Sequence, residues 1–355
     1  MKTDLSLLCL SAALALPAAT ATSQDGAAVY RVTFSSTWSF ASHPTNFPGN
    51  PHYSPLVGAT HDASVVVWEP GGVATPGIEQ VAESGATTIL AQELAQHVQV
   101  GGAAQVLNYG FAGALGNSPG SVSVTFTVTP SHPQLSLVTM IAPSPDWFVG
   151  LHGVELLQNG DWIESMTVPA HAYDSGTDSG ASYLSANADV TPHLPIARVT
   201  TVSGPLAGAS TQFGAFTIER LHSTLVYGCG NPAGSLGVAG QARLGQSLQL
   251  TLADPTLQLP TPALSGLALS TSAPSLFPCG APLPGYGLAA EAPGELLLGS
   301  VDATILGPAF SGGAVGVTVP IPQQPALVGQ QFYLQGFLAG SRVGLTRGVA
   351  LRVGG

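Results

Sequence analysis

The sequence predicts an all-β protein: an antiparallel β-sandwich followed by a second, smaller all-β unit. Three observations carry this. Residues Gly120 to Thr129 alternate without exception, with Val122, Val124, Phe126 and Val128 on one side and Ser or Thr on the other, as a strand with one buried face requires. Many other short apolar runs are separated by Gly, Pro, Asn and Asp turn signals. Only Pro76 to Val98 has helical periodicity, with Ile78, Val81, Ala82, Leu90, Leu94 and Val98 on one face and Gly85 dividing it.

Taken in order, Lys2, the apolar run Leu5–Leu16 and Ala19-Thr20-Ala21 form the three parts of a secretory signal over residues 1–21. That run is too short to span a bilayer, and no transmembrane segment is expected in the mature chain. The expected location is therefore outside the cell or in a periplasm. Tyr30, Val32 and Phe34 alternate with polar neighbours as the first strand. Residues 41–58 read as loop, Ser64 to Trp68 as a short strand, and Leu135–Ile141, Val149–Leu156, Trp162–Val168, Ile196–Val202 and Phe213–Arg220 as further strands. After about Tyr227 the composition changes: residues 226–355 hold eight charged side chains, while alternation persists at Leu248, Leu250 and Leu252 and at Val315, Val317 and Val319. That supports a boundary between a sandwich over 27–225 and a β-rich unit over 226–355, and the apolar content argues against disorder.

The formal net charge is −11, and the only lysine lies in the signal. That balance argues against nucleic acid, heparin-like chains and anionic membrane surfaces as electrostatic partners. Cys229 and Cys279 remain after signal removal. An even pair in an exported chain predicts a disulfide, contributing about 2–4 kcal/mol if unstrained.

The stretch Ile141–Gly180 holds the candidate site. Asp146, Asp174 and Asp178 sit on two turn-forming segments separated by enough chain for a strand out and a strand back. Hard carboxylate oxygens on glycine-punctuated loops suit Ca²⁺; equally, such aspartates cap turns through Asx hydrogen bonds. His61, followed by Asp62, is the one candidate general base, but no GxSxG elbow accompanies it. A packed, hydrogen-bonded histidine is the simpler reading. His43, His52 and His61 match no closed zinc pattern. Asp161 and Glu164, with Asp146, are the only acids to weigh as a glycosidase-type pair. Trp147 either contacts a ligand or packs beneath the loop and fixes Asp146.

The segments HPTNFP, YSPLVGATH, PSPDWFVG, YDSGTDSG and PIARV, in this order over about Ala27–Arg220, resemble the spondin N-terminal domain family. The resemblance implies a C2-like antiparallel sandwich with a calcium ion at one end. Its metal aspartates correspond to Asp146, Asp174 and Asp178. The acidic loops, with no catalytic constellation in the sequence, point to a non-catalytic binding or cell-adhesion module with an extracellular protein or glycan ligand; the alternatives are a secreted hydrolase using His61 and a nearby acid, and a purely structural envelope protein whose metal only stabilises it. In animal members a glutamate sits in a strand before PSPDW; the matching position here is Thr127. The tail, VPIPQQPALVGQQFYLQGF followed by GVALRVGG, resembles a C-terminal β-module of secreted bacterial proteins.

Overall fold

The computed structural model describes residues 25–200, 206 and 212–355; the expected signal, 1–21, lies outside them. Antiparallel sheets dominate, as expected. The first sheet is built on strands Gly26–Ser36, Gly120–Val128 and the long strand Gln212–Tyr227. The second runs through Ala197–Arg198, Tyr173–Asp174, Trp147–Glu155, Gln134–Ala142, Val57–His61 and Ala103–Asn108. Their inner faces interdigitate: Tyr30, Val32, Phe34 and Phe216 of the first sheet pack in one core with Leu135, Leu137, Ile141 and Val149 of the second.

Helices α1 (Pro76–Ser84) and α2 (Thr88–Gln99) cover the other face of the second sheet. Thr75 caps α1 through its hydroxyl, which accepts from Ile78 N at 3.2 Å. Gly85 ends it at φ 72°, the left-handed conformation that glycine takes without a Cβ penalty. Being covered on both faces explains why Leu135–Ile141 is continuously buried rather than alternating.

Several expected elements differ. Ser64–Trp68 is not a strand. Asp62 Oδ1 accepts from Ser64 N at 2.8 Å and from its hydroxyl at 2.5 Å, an Asx turn that breaks the ladder, and Val65, Val67 and Trp68 instead pack beneath the helices. The strand at this point is Val57–His61, so the loop expected over 41–58 ends early; it also contains the short strand His52–Tyr53. Ala103–Asn108 is an unanticipated strand. Its burial does not alternate, so period 2 gives no signal there. Trp162–Val168 divides into Asp161–Trp162 and Ser165–His171, and Ile196–Val202 shortens to Ala197–Arg198, with residues 201 and 202 outside the described set.

Residues 236–353 bring four more strands into the first sheet: Val343–Arg352, Gln331–Ala339, Leu264–Ser270 and, at the edge, Ala303–Leu306. Val343–Arg352 joins Gln212–Tyr227 through the pairs Ser223↔Arg352 to Tyr227↔Gly348. A separate three-stranded sheet (Leu236–Ala239, Ser247–Leu252, Val315–Pro320) supplies the opposing layer. One core holds residues between Ala28 and Leu225, and another holds residues between Val226 and Val353. Cys229 and Cys279 are disulfide-bonded, with Cα atoms 5.2 Å apart.

Candidate metal centre

The turn Pro143–Asp146 joins Gln134–Ala142 to Trp147–Glu155. Ser144 Oγ accepts from Trp147 N at 3.1 Å and donates to Trp147 O at 3.3 Å, closing the turn so that Asp146 points inward. Tyr173–Asp174 pairs with this hairpin, Asp174 opposite Trp147, which carries the second acidic segment to the first. The following loop then wraps Asp146. Its Oδ2 accepts from Ser175 Oγ (3.0 Å), Thr177 N (3.0 Å) and Asp178 N (3.2 Å), and its main-chain oxygen accepts from Ser175 N at 3.1 Å. Asp146 is completely buried, and its Oδ1 has no hydrogen-bond partner.

Gly176 makes this wrapping possible. Its φ is 77°, and a Cβ there would lie 2.3 Å from Leu194 O, so no other residue fits without displacing the chain. Asp174 Oδ1 accepts from Gly176 N at 2.9 Å. Asp178 caps the next turn: Oδ1 accepts from Gly180 N at 2.6 Å and Oδ2 from Ala188 N at 2.7 Å. Each of these oxygens retains a further lone pair.

The electrostatics single out Asp146. Burial, then the Asp174 charge, push its carboxyl from 3.8 up to about 6, against the lowering effect of the Asp178 and Thr177 N–H groups and the Ser175 hydroxyl. Burial also raises Asp174, opposed chiefly by the Gly176 N–H, with the Trp147 side chain and Asp146 itself within hydrogen-bonding reach. A buried carboxylate oxygen without a donor is costly, and a hard divalent cation with oxygen ligands satisfies it. Asp146 and Asp174 are near enough to raise one another, but Asp146, Asp174 and Asp178 are not among the described groups whose ligand-type atoms all come within 4.8 Å of one another, so main-chain carbonyls and water would have to supply most of the six to eight ligands a Ca²⁺ needs.

The other candidates have structural employment. Trp147 is buried, edge-on to Tyr183 at 5.4 Å, and Trp38 Nε1 donates to Tyr183 OH at 3.1 Å; it fixes the loop from beneath. His61 Nε2 lies 2.8 Å from Ser136 Oγ, but both residues are 1% exposed. Its Nδ1 meets the main-chain oxygen of Asp62, not the carboxylate, so Asp62 does not orient it as an acid would in a triad. Burial lowers the His61 imidazole. Asp161 and Glu164 face Arg220, at 3.6 and 2.9 Å, rather than each other across a cleft. His43 lies tilted against Phe213, ring centroids 4.3 Å apart, and His52 Nδ1 meets Asn50 O. Thr127 lies on the edge strand, its main-chain oxygen accepting from Gln105 Nε2 at 2.7 Å.

The fold also assembles residues that sequence reading passed over. Glu79, Asp189 and His193 bring one ligand-type atom each within 4.8 Å of one another. Glu83, one turn beyond Glu79 on α1, lies against the Thr177 turn; burial raises its carboxyl, and its Oε1 is buried without a partner. The i, i+4 spacing of Glu79 and Glu83 was the available signal.

Among known proteins, a family model described as Spondin_N matches residues 28–213. Spondin-1 of Homo sapiens is 33% identical over 211 residues, which cover 55% of this chain and 26% of that protein. Spondin-1 of Gallus gallus is 34% identical over 188 residues (51% and 23%), and Spondin-2 of Homo sapiens is 31% identical over 180 residues (50% and 54%). The chain spans about a quarter of the length of Spondin-1 and about half that of Spondin-2. With the family model matching more than half of the chain, the chain belongs to the spondin N-terminal domain family.

Proposed function

We propose that this is an exported, non-catalytic binding module. One Ca²⁺ joins Asp146, Asp174 and Asp178 and fixes the loops at one end of the sandwich. The observation that carries this reading is the buried, partnerless Asp146 Oδ1 beside a second acid that raises it. The ion supplies positive charge where the chain has gathered only oxygen. The residues do the rest: Asp146 anchors three donors of the loop Ser175–Asp178, and Asp178 ties that loop to Ala188. The shaped end then presents a surface for an extracellular protein or glycan in an adhesive role. Residues 226–355 serve as a second module, a reading supported by their separate core.

A thermal melt tests it. Ca²⁺ at a hundredfold excess over Kd adds about 2.7 kcal/mol to the native state. Asp174→Asn with Asp178→Asn is expected to abolish the gain; identical melting of the wild type in Ca²⁺ and in chelator overturns the proposal.

A further inference from the structure

The stretch after Asp178 returns to the covering helix α1 because main-chain bonds pin it at several points. Asp189 bridges Asp178, Val190 N donates to Thr177 O at 2.8 Å, and Leu194 N donates to Gly176 O at 2.9 Å. Ile196 N then donates to Gly72 O at 2.7 Å, tying the stretch to the loop that leads into α1. On the helix, Ile78, Val81 and Ala82 are buried, and Glu79 stands half-buried beside them. The helix start does not need Glu79: Glu93 accepts from Thr75 Oγ1 at 2.7 Å and from Gly77 N at 2.8 Å.

This path brings one ligand-type atom from each of Glu79, Asp189 and His193 within 4.8 Å of the other two. Among the described residues, none of the three makes an ion pair. Glu83, one turn beyond Glu79, supplies a separate observation: its Oε1 is buried and has no hydrogen-bond partner. Burial raises the Glu83 carboxyl, the Thr177 side chain lowers it, and the charges of Glu79, Asp178 and Asp189 raise it further. Carboxylates from a helix and a loop thus face one another with no arginine paired to them, an arrangement that a cation relieves.

The donors decide which cation. Ca²⁺ takes oxygen throughout, whereas one imidazole nitrogen with two carboxylate oxygens suits a transition ion such as Zn²⁺. Zinc bonds of about 2.0–2.2 Å set tetrahedral ligands about 3.3 Å apart. The three atoms therefore need to close by at most about 1.5 Å, within reach of the torsions of the half-buried Glu79 and the exposed Asp189. We propose that Glu79, Asp189 and His193 bind one Zn²⁺, with water completing the shell. The ion cross-links α1 to the loop that closes this end of the sandwich. The site shares no ligand with the aspartate centre and does not rest on calcium binding there.

Calorimetric titration of the full chain with zinc chloride tests the proposal, once without calcium and once in excess calcium chloride. The expected result is one saturable Zn²⁺ site in both buffers; its persistence in excess Ca²⁺ separates it from the all-oxygen centre. Removing an outer-shell partner of a metal site already costs about 10–100-fold in affinity. His193→Ala and Glu79→Gln, which remove ligands, are therefore each expected to weaken Zn²⁺ binding about tenfold or more, at unchanged melting temperature in chelator. No saturable Zn²⁺ binding by about 1 mM overturns the assignment. So does unchanged affinity in either variant, which gives the zinc to another surface histidine. Loss of Zn²⁺ binding when Ca²⁺ is in excess overturns it as well, since the two ions then share the aspartate centre.

Discussion

Asp146 is held by more donors than any other acid of the aspartate centre, yet it keeps one oxygen bare. Its raised carboxyl fixes the sign of a pH effect. In the absence of a cation, the folded chain holds a proton that the unfolded chain releases above about 3.8, and gives it up near 6. The stability from this group is present below the lower value and lost as pH rises through the upper one. Melting in chelator is therefore expected to rise as pH falls from 7 towards 5, and Asp146→Asn to flatten that slope. In Ca²⁺ the slope is expected to reverse, because protons then compete with the ion for the carboxylate. Gly176 is the second decisive residue. At φ 77° with Leu194 O in the path of any Cβ, Gly176→Ala is expected to cost well over about 1 kcal/mol by denaturant unfolding and to weaken Ca²⁺ binding with it.

At the scale of elements, the site is a hairpin turn and the loop that folds over it. Trp147 supports both: it pairs its backbone with Asp174 and packs its ring on Tyr183. Trp147→Ala is expected to lower stability by about 3–5 kcal/mol, as emptying a buried Trp position does, and to abolish the Ca²⁺-dependent gain in melting temperature. Period 2 made Gly120–Val128 legible, and the helical period with Gly85 made α1 and α2 legible. The turns that carry the aspartates were legible because Pro145, Gly176 and Gly180 mark them. What escaped was set by tertiary contacts. Ala103–Asn108 has no alternation to read, and Val65–Trp68 is apolar because helices cover it, not because it is a strand. The proximity of Glu79 to Asp189 and His193 joins positions far apart in the chain. No local pattern encodes such pairs.

At the scale of the molecule, two cores share one sheet, and Leu225 and Val226, adjacent in Gln212–Tyr227, belong to different cores. The C-terminal core is tied by the Cys229–Cys279 disulfide and by Glu295, whose carboxylate accepts from Cys229 N, Gly230 N and Gly280 N at 2.7–2.8 Å. Cys229→Ser with Cys279→Ser is expected to cost about 2–4 kcal/mol, read as a lower denaturant midpoint. Among the described residues, no helix is long and apolar enough to cross a membrane.

The most direct measurement is a crystal structure from calcium-containing buffer with anomalous identification of any bound ion. The account predicts a calcium peak bonded to Asp146 Oδ1 and to an oxygen of Asp174, with Asp178 in its shell. A well-ordered map with these three side chains in place and no ion between them would contradict it.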